Sequence, residues 1–200
     1  MRRLSLLAVT ALLAAVTAAP APALAKRVEV TRFHTAESLA ALDRRAVAVV
    51  AAPGMGDNSL ENRVWLAAVE QALGGAGFPT SVSIPPQVTA EVRVERRSWK
   101  PERERGGVSV GVGGSTGGYG SGVGLGIGIN LGGGPAEQME TTLSVTLRDQ
   151  ATGQSLWEGR AVQTVKAKSK DADADVAADK LAKALFAGFP GRSGDTISVK

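Results

Sequence analysis

Apolar and polar residues alternate along several stretches of this chain, and such alternation is typical of a β-strand with one buried face. The alternating stretches are residues 28–33, 88–96, 139–148 and 155–166. A further run, 46–52, is continuously apolar, which predicts a strand buried on both faces. Asp149 and Gly153 supply turn chemistry between the last two alternating runs, which predicts an antiparallel hairpin.

Two segments show helical spacing instead. The first is predicted over residues 58–73, because Asn58 is a good N-cap, apolar residues then recur at helical spacing, and Gly74 stops the pattern. The second begins at the acidic run of Asp171, Asp173 and Asp175 and ends at Gly188. The sequence therefore predicts an α+β fold, with a mostly antiparallel sheet and two helices packed on one face.

A glycine-rich segment interrupts this pattern. Between 106 and 134, 15 of 29 residues are glycine, yet the apolar residues among them alternate strictly and predict a β-hairpin. The alternating residues are Val108, Val110, Val112, Val123, Leu125, Ile127, Ile129 and Leu131. Each glycine in a strand costs roughly 0.5–1 kcal/mol relative to alanine, which sums to about 10 kcal/mol, comparable with the net stability of a domain. The segment is therefore interpreted as an insertion into a single domain of residues 26–200.

Three interpretations of this hairpin are open. It can be a loosely ordered appendage, in which case the glycine entropy need not be offset. It can pair with a second copy or a partner by strand addition. It can also insert into a membrane, since its arms are near the length that a spanning strand requires.

The first 25 residues have the features of an export signal. Arg2 and Arg3 precede an apolar run over 4–19, and Ala23 and Ala25 form a small-residue cleavage site. We expect cleavage before Lys26 and a periplasmic location, with the general secretory and twin-arginine routes both open. A retained signal anchor is the lesser alternative, because the apolar run is short for a bilayer span.

Composition excludes several classes of function. The chain has no cysteine, so thiolate metal sites, cysteine nucleophiles and disulfides are excluded. Without Arg2 and Arg3, 21 basic residues face 19 acidic ones, and this near balance argues against nucleic acid as a partner. The densest basic run mixes with glutamates, so a solvated strand end is favoured over a polyanion or anionic-lipid site. Its members are Arg93, Arg96, Arg97, Lys100, Arg103 and Arg105.

The remaining motifs favour structural explanations. Gly113–Gly117 matches the nucleophile-elbow pattern around Ser115, but the required strand-to-helix turn is not predicted there, and His34 is the single histidine. Asp171, Asp173 and Asp175 lack the other positions of a calcium loop, so they are assigned to the start of a helix. No nucleotide-binding glycine motif is present. We therefore predict no catalytic, cofactor-binding or metal-binding residues.

The order of these elements resembles a known family. The residues that carry the resemblance are 73–78 at the first helix end, the strand before the glycine-rich insertion, the hairpin of Asp149 and Gly153 with 156–159, and 185–190. The family is domain of unknown function four-one-three-six, which occurs in bacterial envelope proteins often labelled lipoproteins. The resemblance implies a compact envelope domain with no assigned catalytic residues. This chain departs from the family in lacking a lipid-accepting cysteine.

Together these observations predict a non-enzymatic periplasmic interaction or structural module. Its expected partner is an envelope protein or a second copy, bound through the glycine-rich hairpin, with peripheral membrane contact as the alternative. A hydrolase is the less favoured class, and no cofactor is expected.

Overall fold

A computed structural model describes residues 27–55, 59–80, 85–101 and 135–200 of the chain. The export signal predicted over 1–25 and the hairpin predicted within 106–134 lie outside the described residues, so both stay predictions. None of the helices within the described ranges is long and apolar enough to cross a membrane.

The centre of the fold is a six-stranded sheet. Its strands are β1 (Val28–Phe33), β2 (Val47–Ala51), β3 (Val88–Trp99), β4 (Gln138–Asp149), β5 (Ser155–Lys166) and β6 (Thr196–Val199). Their order across the sheet is β2-β3-β4-β5-β1-β6, and only β2 and β3 run parallel among these strands. The prediction of a mostly antiparallel sheet is confirmed, and the hairpin of β4 and β5 forms where the Asp149 turn predicts it.

Three α-helices accompany the sheet: α1 (Ala36–Leu42), α2 (Leu60–Gly75) and α3 (Ala174–Phe186). α2 begins after Ser59, whose side chain accepts a hydrogen bond from the backbone N–H of Asn62. α3 follows a short 3-10 turn, Lys170–Ala172, and its buried face includes Leu181 and Leu185.

The core lies between α2, α3 and one face of the sheet. Alternate residues of the central strands point to this face, including Ala90 on β3 and Val145 on β4, and they join one cluster with Trp65 of α2. The opposite face carries polar side chains such as Glu91 and Arg148, which form an ion pair at 3.0 Å. In an antiparallel sheet with one core face and one solvated face, apolar and polar residues alternate along each strand. The sequence therefore predicts these strands.

Two predictions about the elements need correction. The fold has three helices in its described part rather than two. Thr35 and Ser38 form a capping box that starts α1, a helix of seven residues that is too short to establish a helical period in the sequence. The strand over 46–52 is not buried on both faces. β2 lies at one side of the described sheet, and its Val50 is 40% exposed.

Candidate functional site

A buried arginine holds the C-terminal end of α3. Arg32 of β1, only 4% exposed, donates from Nε to the carbonyl of Leu185 at 2.9 Å. Its Nη2 donates to the carbonyls of Ala184 at 3.1 Å and Ala187 at 2.8 Å. Carbonyls of a last helical turn lack partners within the helix, and a cation there also suits the helix dipole. Burial lowers the pKa of Arg32, but a guanidinium remains protonated at neutral pH.

The single histidine lies next to this arginine and contacts the same C-terminal segment. His34 Nε2 is 3.1 Å from the carbonyl of Gly191, and the His34 backbone N–H donates to Ser193 Oγ at 3.0 Å. Because a carbonyl can only accept, the first contact requires the proton on Nε2. Ser115 lies outside the described residues, so the structure neither pairs it with His34 nor separates them.

Aromatic side chains pack around the same segment. Trp157 stacks on Phe186 with ring centroids 5.3 Å apart, and its Nε1 donates to the carbonyl of Pro190 at 3.1 Å. Phe189 meets Phe78 edge-on at 5.1 Å. This end of the domain is therefore a packed extension of the core, and its polar groups are used in holding the chain together.

The turn between β4 and β5 contains Asp149, a carboxylate with a lowered pKa. Arg45 Nη1 donates to Asp149 Oδ2 at 2.7 Å, while Asp149 Oδ1 accepts from the backbone N–H groups of Ala151 and Thr152. The hydrogen bond from Arg45, followed by the bond from Thr152, lowers the pKa of Asp149 to about 2. Asp149 is ionised at neutral pH, and its hydrogen bonds to Ala151 and Thr152 stabilise the turn.

A cavity of about 320 Å³ lies beside the first turn of α2, lined in part by Glu61, Trp65 and Arg96. Arg96 Nη1 forms an ion pair with Glu61 at 2.9 Å, and Nη2 donates to the carbonyl of Ala172. Trp65 Nε1 is buried and has no hydrogen-bond partner among the described residues. Arg96 thus links α2 to the turn before α3, although its place in a mixed-charge run predicts a solvated side chain.

A second cavity lies where β3 and β5 end and β4 begins. It measures about 390 Å³ and is lined by Lys100, Ala136, Glu137, Lys166, Lys168 and Ser169. We call it the lysine cavity. The Ala167 N–H donates to the carbonyl of Glu137 at 2.8 Å, and Ser169 Oγ donates to the carbonyl of Lys166 at 2.7 Å. No ion pair involves its three lysines within the described part of the chain.

The sequence pattern does not predict the lysine cavity, although Lys100 belongs to the basic run. Lys166 and Lys168 lie far along the chain, and the registers of β3 with β4 and of β4 with β5 bring them near Lys100. Correct strand registers would have placed Lys166 near Lys100, because Trp99 is opposite Gln138 and Gln138 is opposite Lys166.

The aspartates near α3 and the remaining arginines of the basic run do not come together in one site. Asp173 is the N-cap residue of α3, Asp175 lies in its first turn, and Asp171 belongs to the preceding 3-10 turn. In residues 27–55, 59–80, 85–101 and 135–200, no group of three or more histidine and acidic side chains is placed to hold a metal ion. Arg93 and Arg97 lie on the polar face of β3, and Arg103 and Arg105 lie outside the described residues.

Comparison with known families decides the classification. Residues 35–191 match the family described as Domain of unknown function (DUF4136). The chain belongs to this family. The match includes every element from α1 to α3 and the whole glycine-rich segment, which agrees with the resemblance of its helix ends and hairpin.

One relative is an uncharacterized protein of Zymomonas mobilis, which is 42% identical over 65 residues, or 32% of this chain. The aligned region spans 24% of that relative's length. Among solved structures, the PelC dodecamer from Paraburkholderia phytofirmans has a TM-score of 0.45 at 14% identity, covering 83% of this chain and 99% of that one. A PDZ domain protein from Parabacteroides distasonis has a TM-score of 0.43 at 14% identity, covering 86% and 39%. Likenesses at these scores carry no functional information.

Proposed function

We propose that this DUF4136 protein is exported to the cell envelope and acts there by binding rather than by catalysis. Export rests on the signal features of residues 1–25. Binding is supported by how the domain uses its polar side chains. Arg32 is hydrogen-bonded to the end of α3, His34 to the segment after α3, and Asp149 to the turn between β4 and β5. These side chains therefore stabilise the fold.

One observation carries the proposal that the contact surface is the glycine-rich segment. β3 and β4 are paired over their full lengths, from Val88 opposite Asp149 to Trp99 opposite Gln138. The two residues that flank the connection, Trp99 and Gln138, therefore lie opposite each other as a cross-strand pair. The described pairs of β3 with β4 use no residue between Trp99 and Gln138, and we therefore assign contacts outside the domain to that connection.

The sequence of the connection favours strand addition as the mode of contact. Its alternating apolar residues would form one apolar face of a strand, and its glycines allow another backbone to approach closely. A second copy of the chain offers the same segment, which makes self-association the first interaction to test. Peripheral membrane contact is the alternative use of the same apolar face.

The test compares residues 26–200 with a variant lacking 107–133, using analytical ultracentrifugation without lipid. We expect the complete chain to self-associate with increasing concentration and the deletion variant to remain monomeric. A matched variant keeps the length of the segment but carries serine at Val123, Leu125, Ile127, Ile129 and Leu131, and it should also remain monomeric. Circular dichroism on all three proteins checks that the domain is folded.

If the complete chain is monomeric at every concentration, self-association through this segment is wrong. Catalysis is checked separately with ester and glycoside substrates. Hydrolysis that disappears in both the Ser115→Ala and the His34→Ala variants, without loss of folding, would contradict a binding role and favour the hydrolase class.

A further inference from the structure

We infer that the lysine cavity binds the phosphate headgroups of an anionic lipid surface. The cavity is lined by Lys100, Lys166 and Lys168 at one end of the sheet, and Glu137 is the one acidic residue among its described lining residues. This inference rests on the proposed envelope location, and it assigns a ligand class to a site that is separate from the segment's own apolar face.

The charges of the cavity favour an anionic ligand. All three lysines are exposed and none forms an ion pair with a described residue, whereas Arg45, Arg96 and Arg148 are each paired with a carboxylate. Lysine binds phosphate as a compact point charge with three donors. Three such groups around one opening therefore provide a positive site that Glu137 only partly offsets.

The shape of the cavity suits a headgroup. Its volume of about 390 Å³ lies within the range of sites for small organic ligands, on the order of 300–1,000 Å³. Ala136 is an apolar lining residue. Lysine side chains can cover apolar surface with their methylenes while their ammonium groups reach water or phosphate. A phosphodiester with a glycerol group matches this combination of apolar wall and charged rim.

The neighbouring residues favour a membrane over a soluble polyanion. Trp99 precedes Lys100 at the end of β3 and is 37% exposed. Exposed tryptophan beside lysine is typical of protein surfaces at the bilayer interface, where the ring occupies the headgroup region. The alternating apolar residues of the glycine-rich segment lie between Trp99 and Gln138 in the sequence, and these two residues are a cross-strand pair at the same end of the sheet as the cavity. A soluble polyanion would use the lysines but has no use for these apolar groups.

The direct test measures binding of residues 26–200 to vesicles by flotation. Phosphatidylcholine vesicles containing phosphatidylglycerol should bind the protein, and pure phosphatidylcholine vesicles should bind it weakly. A basic residue near an anionic surface contributes about fivefold, or about 1 kcal/mol, so we expect the Lys100→Gln, Lys166→Gln, Lys168→Gln triple variant to lose roughly 100-fold in partition coefficient. Added salt should weaken binding of the unmodified protein, because exposed charges are screened.

A charge-matched control distinguishes the cavity from net charge. The triple variant Lys183→Gln, Arg192→Gln, Lys200→Gln removes the same number of positive charges elsewhere and should bind like the unmodified protein. A Lys100→Arg, Lys166→Arg, Lys168→Arg variant should retain binding. Circular dichroism verifies folding, which exposed lysine substitutions should preserve.

Three results would overturn the inference. These are equal loss of binding in both glutamine variants, equal binding to charged and uncharged vesicles, and binding to dextran sulfate without binding to vesicles. The last would assign the cavity to a soluble polyanion. The variant lacking 107–133 keeps the cavity residues, so its residual preference for charged vesicles tests the lysines independently of self-association, which is measured without lipid.

Discussion

At the scale of single residues, Arg32 shows how an ordinary position in a strand can determine the end of a helix. Its neighbours Val30 and Val28 bury apolar side chains on the same face of β1, whereas Arg32 extends to three carbonyls at the end of α3. Alternation in the sequence predicts which way Arg32 points. It does not predict that a helix end lies there, because that depends on how α3 packs.

We expect Arg32→Met to lower the free energy of unfolding by about 3 kcal/mol, because two buried carbonyls and one part-buried carbonyl would lose a charged donor. Arg32→Lys should lose less, since an ammonium can still donate to some of them. Urea denaturation followed by circular dichroism measures both. Arg160→Met, at an exposed position of β5, is the control. An Arg32→Met protein as stable as this control would contradict the role given to Arg32.

Gly159 is required because there is no space for a side chain at this position. A Cβ at this position would lie 2.7 Å from Trp157 Cζ3, closer still to Cη2, and 2.8 Å from Leu185 Cδ1. We expect Gly159→Ala to destabilise the domain by about 1–3 kcal/mol through overpacking. Gly74→Ala is the matched variant, because a Cβ there meets open space in α2, and it should stabilise by about 0.5–1 kcal/mol. Thermal unfolding distinguishes these opposite signs.

Asp149 makes stability depend on pH. Its pKa in the folded protein is about 2, below the ordinary value of 3.8, so the folded state favours the ionised form. The stabilisation is complete above the unfolded pKa and is lost as pH falls from about 4 to about 2. We expect Asp149→Asn to be less stable than the unmodified protein at pH 7 and the difference to become small as the pH falls towards 2. A constant difference across this range would show that the charge is not responsible.

At the scale of elements, the sheet should differ in stability from its centre to its sides. β3, β4 and β5 pair over long registers, whereas β6 has four residues and pairs with β1 through positions 28–31. Amide hydrogen exchange should therefore be slowest in β4, which has partners on both sides, and fastest among the strands in β6. Comparable protection in β4 and β6 would indicate that β6 has a further partner in solution.

The elements also show where sequence patterns lose information. β3, β4 and β5 were predictable because each has one polar face. The continuous apolar run of β2 wrongly predicts burial on both faces, because small apolar residues occur both at the edge and in the middle of a sheet. Only the strand order distinguishes these two positions. α1 and β6 were missed because seven and four residues are too short to establish a period.

At the scale of the whole molecule, the α+β class and the family could be predicted from the sequence, while the lysine cavity could not. The class depends on the order of the elements, which local patterns reveal. The cavity depends on three strand ends meeting, which requires the registers of β3, β4 and β5 together. The same limit applies to the Arg45–Asp149 pair, whose members are brought together from distant parts of the chain.

The pairing of Trp99 with Gln138 also has a consequence for chain length. The sheet holds Trp99 and Gln138 side by side, and residues 100–137 connect them in sequence. The entropy of closing a flexible loop grows only with the logarithm of its length. We therefore expect halving or doubling the number of residues in this connection to change the stability of the domain by only about 0.6 kcal/mol. A foreign peptide of similar size could replace residues 107–133, which leaves Lys100 and Glu137 of the lysine cavity in place and makes this part of the connection a suitable point for grafting new binding sequences.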